Sequence, residues 1–374
     1  MGAHPSFPSR LAGDDSANND SAGAGLLVPL DQFIARDPES TLGREALLLF
    51  GNTLPFLFKV LSAASPLSLQ VHPSKRQATE GYARENESGI PLTSPERNYK
   101  DSNHKPEIIM AITPFTAMCG FRNPGETLTH FSCFKTPLLE PALASLRTIG
   151  TYGTFCKKLL ELAPAEKRAV ITDALKAASE CERHPVSAKR AFHLMRDLAG
   201  EYPDDIGILS PLYLNVIDLE AREAMYLPAG IMHAYVKGTG LELMASSDNV
   251  LRGGLTPKHI DVRELLNILN PDFFVPEIIP PPSRKGMYHY RTPSTEFELS
   301  SITPENTQVP WTARFPAICM GGEGTITVKN DKGDSHRLLK GTTIFIPASG
   351  EQLIFSGEGT CFMASIPQNG TTAR

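Results

Sequence analysis

The sequence predicts a mainly β chain with an α-helical insertion, built on two β-barrels or jelly rolls. Three observations carry that expectation. Short runs rich in β-branched and apolar residues, bounded by turns, occur on both sides of the middle of the chain. Between them, from Leu138 to Leu198, apolar residues recur at three- and four-residue spacing with Lys, Arg and Glu interposed, as amphipathic helices require. Finally, the C-terminal stretch alternates short strands with glycine turns, most clearly in Gly324-Thr-Ile-Thr-Val-Lys329 and Gly341-Thr-Thr-Ile-Phe-Ile-Pro347.

In chain order, residues 1–25 are rich in Gly, Ser, Asn, Asp and Ala, and Leu26 to Phe50 reads as a short helical region. Leu54 to Val60 is a strand candidate, followed by Leu67 to Val71, Pro106 to Ile112 and Thr116 to Phe121. Pro73 to Asn103 is polar and turn-rich. After the helical stretch, strand signals return at Leu212 to Leu219, Glu223 to Leu227, His233 to Val236 and Leu241 to Ala245. Pro271 to Pro282 is proline-rich and reads as a linker. The expected division is therefore 1–135 with 204–270 as one barrel, 136–203 as the helical insertion and 271–374 as the second barrel.

With 374 residues the chain can bury a large core. A formal charge of −5 leaves no basic footprint for nucleic acid or an acidic membrane, so an anionic substrate needs a local cationic cluster. Neither a signal peptide nor an apolar run long enough to span a bilayer is present, which points to the cytoplasm. Cys119, Cys133, Cys156, Cys181, Cys319 and Cys361 form no C-x-x-C pair and read as free thiols.

Chemistry concentrates in a few segments. Pro228-Ala-Gly-Ile-Met-His233 is a turn that aims a histidine from a strand, and Gln70-Val71-His72 places two ligand-type side chains on one strand face with Val71 on the other. Glu107 stands at the entrance of the apolar run Ile108 to Ile112, where a buried carboxylate needs a partner or a metal. A lone histidine is more often a core or surface residue than a ligand. The coincidence of Gln70, His72, Glu107 and His233 instead favours an oxygen and nitrogen site for a divalent metal with an open position. A second, cationic set comprises Lys59, Lys105, Arg252 and Lys258. Scattered lysines usually form a solvated face, but Arg252 and Lys258 lie in a Gly- and Ser-rich segment that leaves a strand and suits a phosphate or a developing oxyanion. In the second barrel, Ile346-Pro-Ala-Ser-Gly350 repeats the turn, yet Gln352 stands where the histidine would fall.

Together, Met1-Gly-Ala-His-Pro-Ser6, Leu54 to Leu61, Pro66-Leu-Ser-Leu-Gln-Val-His-Pro73, Asn98-Tyr-Lys-Asp-Ser-Asn-His-Lys-Pro-Glu107 and Glu242 to Lys258 make the chain resemble the type I mannose-6-phosphate isomerases, zinc enzymes of the cupin superfamily. The resemblance implies one Zn2+ per chain on Gln70, His72, Glu107 and His233, a catalytic Arg252, and substrate-binding Lys59, Ser68, Lys105, Glu242 and Lys258. Zinc itself follows from the resemblance, since these donors also accept manganese or cobalt. The implied reaction interconverts mannose 6-phosphate and fructose 6-phosphate through a cis-enediol, feeding GDP-mannose synthesis. The implied partner is a small sugar phosphate, with no nucleic acid, no membrane and a monomeric state. Glu242, Asp248 and a metal-bound water are alternative proton-shuttling bases, and His104 reads as structural.

The family pattern carries several dozen residues before the Met-Gly-x-His-Pro-Ser motif, with a Tyr-x-Trp-Gly strand and a Glu-Leu-Trp run. Here the motif's Met is Met1 and the single tryptophan is Trp311. The expectation is a first barrel shortened at its N-terminus, and the competing reading is an inactive or structural sugar-phosphate-binding cupin. Other metal-dependent cupin enzymes, such as dioxygenases, usually present a His-x-His pair, and Gln70 argues against iron chemistry.

Overall fold

The computed structural model describes residues 1–12, 27–179 and 186–368. The polar stretch from residue 13 through Leu26, and Cys181, lie outside the described residues. The chain divides into two compact units: Met1–Val60 with Leu241–Ser246 and Ile279–Arg374, and Leu61–Gly240 with Ser247–Ile278.

In the first unit, three short helices, Leu30–Arg36, Pro38–Leu42 and Arg44–Phe50, lead toward the Phe56–Ala63 strand. Its C-terminal part is a seven-stranded sheet in the order Gly286–Tyr290, Glu298–Thr303, Gln352–Ser365, Ala317–Asn330 and Ser335–Leu338. Val309–Thr312 adds to the Gln352 strand and Thr343–Ile346 to the Ala317 strand, both antiparallel. Side chains alternate as a half-buried sheet requires, so Trp311, Ile326, Val328, Phe355 and Met363 fill one core. Gln352 opens its strand as an exposed residue.

The second unit holds the site. Leu251–Gly254 pairs with Leu69–Val71, which pairs with the long strand His233–Ala245; Phe115–Phe121 lies on that strand too and carries Leu214–Leu219 beyond it. Glu107–Ala111 pairs with Ala224–Leu227. Strand alternation sorts the residues into two cores. Ile109, Ala111, Ala117, Cys119, Met225, Leu227 and Tyr235 pack inside the barrel. Leu69, Val71, Met118, Ala234 and Val236 face the other way, against Phe131, Tyr152, Phe155 and Phe192 of the helical insertion. The insertion's helices, Glu140–Ile149, Tyr152–Leu160, Pro164–Ser179 and Val186–Glu201, therefore cover the outer face of the sheet that carries Gln70 and His233 on its inner face.

The structure departs from the sequence expectation in four places. The polar stretch after Pro73 contains a helix, Lys75–Glu87, begun by a capping box in which Ser74 and Gln77 satisfy each other's backbone amides. It buries only Ala78, Gly81 and Glu85, too thin a face to show as apolar periodicity. Leu212 and Tyr213 end a short helix, Ser210–Tyr213, with a proline in its first turn, and the strand starts at Leu214. His233–Val236 and Leu241–Ala245 are one continuous strand. Gly238, within it, is not a turn but a close approach, where a Cβ would lie 2.6 Å from the Pro114 carbonyl oxygen. The linker, in turn, includes a two-residue strand, Ile278–Ile279.

Gly81 lets the Tyr99 ring lie against the Lys75–Glu87 helix, since a Cβ there would sit 2.3 Å from Tyr99 Cε2. The ring cannot swing away, because Tyr99 N donates to Glu85 Oε2 at 2.9 Å and its hydroxyl to Glu264 Oε1 at 2.6 Å. Alanine normally gains about 1 kcal/mol over glycine within a helix, whereas overpacking costs roughly 1–3 kcal/mol. Gly81→Ala is expected to lower the urea midpoint; an unchanged or raised midpoint would mean the ring is not pinned.

Candidate metal centre

Cross-strand register brings the remote sequence segments together. Gln70 is the direct partner of His233 on one side and of Arg252 on the other, so these three side chains form a row across neighbouring strands on one face. His72 follows two residues after Gln70 and keeps its side of the sheet. The turn before His233 is fixed by Gly230, whose φ of +82° suits glycine and whose amide donates to the His72 carbonyl at 2.8 Å. Glu107 opens its strand with the same parity as the inward-facing Ile109 and Ala111.

His72, Glu107 and His233 are 2 %, 1 % and 1 % exposed, and one ligand atom from each lies within 4.8 Å of the others. Each imidazole spends its Nδ1 on a backbone carbonyl: His72 on Asn249 O at 2.7 Å, His233 on Ile231 O at 2.9 Å. A carbonyl only accepts, so Nδ1 carries the proton and Nε2 of the neutral ring presents a lone pair. Those two Nε2 atoms stand 3.2 Å and 3.7 Å from the Glu107 oxygens, yet neither has a hydrogen-bond partner among the described residues. Two buried lone pairs converging on a carboxylate repel one another unless a cation lies between them. The donor set of His72, Glu107 and His233 therefore fits a divalent metal, and the register places Gln70 next to His233 on the same face.

The electrostatics agree. Burial, and then the Lys105 ammonium, lower His72 to about 4, against the opposing pull of Glu107. Burial alone would raise the Glu107 carboxyl, but the Lys105 ammonium, 3.2 Å from its Oε1, holds it well below the usual range. Tyr235 donates its hydroxyl to Glu107 Oε2 at 3.2 Å. At neutral pH His72 is thus a neutral imidazole and Glu107 a carboxylate, the forms that bind metals. Burial lowers the Arg252 guanidinium, and arginine keeps its charge beside Gln70.

The other sequence-derived candidates fall as follows. Ser68 is half-buried in the coil just before the Gln70 strand, and Lys258 is exposed on the segment leaving the Arg252 strand. In the first unit, Lys59 Nζ pairs with the buried Glu242 at 3.2 Å and reaches Met244 Sδ at 3.5 Å. Asp248 is exposed, with its amide donating to Asp101 Oδ2 at 2.8 Å. Cys119, Cys133, Cys156, Cys319 and Cys361 are free thiols. Sequence reasoning missed Tyr235, Asp101 and Asn249. Tyr235 was accessible to it, being two residues after His233 on the same face; a buried asparagine inside a polar loop carries no such signal.

The His72 shift has a consequence for the metal-free chain. The unfolded chain takes up a proton on this ring near pH 6.5 and the folded chain only near pH 4, so protons favour the unfolded state as pH falls through that window. The lowered Glu107 adds to the loss at still lower pH. Thermal unfolding of the metal-free chain should therefore drop in temperature between pH 6.5 and 4, and less steeply in His72→Gln. Equal slopes would show that His72 is not the titrating group.

Comparison with known proteins converges on one family. A family model, phosphomannose isomerase type I, catalytic domain, matches residues 1–124. Over 373 residues the chain is 35% identical to mannose-6-phosphate isomerase of Escherichia coli, covering 96% of this chain and 88% of that one. It is 32% identical to mannose-6-phosphate isomerase 1 of Arabidopsis thaliana, covering 94% and 80%. A crystal structure of a mutant phosphomannose isomerase from Salmonella typhimurium superposes with a TM-score of 0.85 at 34% identity, over 98% of this chain and 90% of that one. A zinc-bound mannose 6-phosphate isomerase gives 0.84 at 35% identity, with the same coverage. A chain that shares its fold and about a third of its residues with these proteins over nearly its full length belongs to the type I mannose-6-phosphate isomerase family.

Proposed function

We propose that this chain interconverts mannose 6-phosphate and fructose 6-phosphate, supplying mannose 6-phosphate for GDP-mannose synthesis. The observation that carries the reading is the buried pair of unpartnered Nε2 atoms facing Glu107, with the charged Arg252 in the same cross-strand row. One zinc ion would be held by Gln70, His72, Glu107 and His233. When bound, it supplies Lewis-acid polarisation of the oxygens on the reacting carbons.

The remaining chemistry belongs to the chain. Isomerisation removes the proton from C2 of the open-chain aldose and delivers one to C1, while the O2 hydroxyl proton is lost and O1 gains one; the intermediate is an enediolate whose negative charge must be held. Arg252 stabilises that charge from beside Gln70. Lys105, bound to Glu107, adds a second positive charge at the centre. Lys258, exposed beyond the Arg252 strand, suits the substrate phosphate, and Ser68, Lys59 and Glu242 complete the proposed substrate contacts. Glu242 and Asp248 are the carboxylates available to move the proton.

In functional terms, 1–135 with 204–270 form the catalytic barrel, 136–203 the helical insertion and 271–374 a barrel without metal ligands. The enzyme acts as a cytoplasmic monomer on a free sugar phosphate, with no nucleic acid or membrane involved. No helix among the described residues is long and apolar enough to cross a membrane, and the net charge is −5.

A coupled assay of mannose 6-phosphate conversion tests the reading. Chelation should abolish turnover and zinc should restore it, whereas turnover that survives complete chelation would exclude the metal centre from the reaction. Arg252→Gln should lower kcat by roughly 100- to 1,000-fold, the usual effect of removing one oxyanion-stabilising group, with zinc content unchanged. A kcat within a few-fold of the unmodified chain would remove Arg252 from the chemistry.

A further inference from the structure

Asn249 is fully buried, and every hydrogen-bonding position of its side chain is used. Its Oδ1 accepts from the amides of Lys100 at 2.7 Å and Asp101 at 3.3 Å. Its Nδ2 donates to Asp101 O at 2.8 Å and Asn103 O at 2.8 Å, with Asp101 Oδ1 at 3.2 Å. The amide faces two donors on its oxygen side and only acceptors on its nitrogen side, so its orientation is set by chemistry. Aspartate has the shape but no donor, and glutamine is one methylene too long. The backbone of the same residue supplies the carbonyl that accepts from His72 Nδ1.

These contacts tie together three parts of the metal centre. The side chain clamps the Lys100 to Asn103 loop, which runs directly into Lys105 and Glu107. The carbonyl sets the tautomer of His72. Three residues later the chain reaches Arg252, in register with Gln70. Asp101 closes the latch from the loop side, accepting from Ser247 Oγ at 2.8 Å and from the Asp248 amide at 2.8 Å. The loop is also anchored away from the centre, where Tyr99 bonds Glu264, Asn98 Nδ2 donates to Asp261 Oδ2 at 2.9 Å, and the buried Arg97 donates to the Tyr99 carbonyl at 2.6 Å. The Asn249 side chain adds to the Asp101 contacts the bonds to the Lys100 amide and the Asn103 carbonyl, so one residue joins both ends of the loop to the carbonyl that orients His72.

We propose that Asn249 is a positioning residue for the metal centre, coupling the His72 tautomer to the loop that delivers Lys105 and Glu107. It touches neither metal nor sugar. The proposal rests on the metal reading above. Groups that orient metal-bound histidines typically change metal affinity about 10- to 100-fold when altered.

The test measures the zinc dissociation constant of the full chain by competition with a chromophoric chelator, alongside the visible spectrum of the cobalt-loaded chain and circular dichroism for folding. Asn249→Asp keeps the shape, removes both donors and sets a carboxylate against Asp101. It should raise the dissociation constant roughly 10- to 100-fold and shift the cobalt bands, because His72 is no longer held in one orientation. Asp101→Asn, measured in parallel, should weaken binding several-fold and keeps the test alive if Asn249→Asp does not fold. A purely structural role would lower the unfolding temperature while the folded variant kept its affinity and cobalt spectrum; that result in either folded variant would overturn the proposal. An unmodified chain that binds neither zinc nor cobalt would instead overturn the metal reading itself.

Discussion

Two hydrogen bonds to backbone carbonyls, from His72 Nδ1 to Asn249 and from His233 Nδ1 to Ile231, decide what this site can do. Each fixes a ring tautomer and leaves Nε2 as a lone pair in a space closed to water. If either ring carried its proton on Nε2 instead, that N–H could donate to Glu107, and the three side chains would form an ordinary buried hydrogen-bonded cluster with no demand for a cation. The carbonyls that prevent this come from a polar loop and from the turn that leads into His233. Metal affinity here is therefore a property of backbone placement as much as of ligand identity.

The sheet supplies that placement. A single cross-strand row joins Arg252, Gln70 and His233, so the residue proposed for charge stabilisation and two proposed ligands share one register. Slipping the Gln70 strand by one residue would turn Gln70 and His72 toward the helical insertion and Val71 toward the centre. The outer face resists such a slip, because Leu69 and Val71 are locked into the core with Phe131, Tyr152 and Phe155. The helical insertion has a structural part in the site: it packs on the strands whose opposite face carries the proposed ligands. Burying Glu107 is expensive in isolation, and Lys105 at 3.2 Å offsets part of that penalty while pulling the His72 pKa down.

Features that depend on alternation or on a single turn were legible in the sequence. Gln70-Val71-His72 states its own two-sided geometry, Pro228-Ala-Gly marks the turn that aims His233, and Glu107 ahead of an apolar run signals a buried carboxylate. The helical insertion was visible through its period. Features that depend on tertiary satisfaction were not. The Lys75–Glu87 helix buries a glycine, an alanine and a glutamate, so its only strong local signal is the Ser74 and Gln77 capping box. The strand from His233 runs through Gly238 because a neighbouring carbonyl needs the space, which reads as a break when the neighbour is unknown. Asn249 looks like an ordinary loop residue until the fold removes it from water, and Asp101 until the fold brings it against Asn249.

The most direct measurement of the central claim is zinc K-edge X-ray absorption of the zinc-loaded chain. The predicted spectrum has only nitrogen and oxygen neighbours at about 2.0–2.1 Å, with the outer-shell pattern of two imidazole rings. A sulfur shell at about 2.3 Å, or a first shell without imidazole scattering, would contradict a centre built on His72, Glu107 and His233.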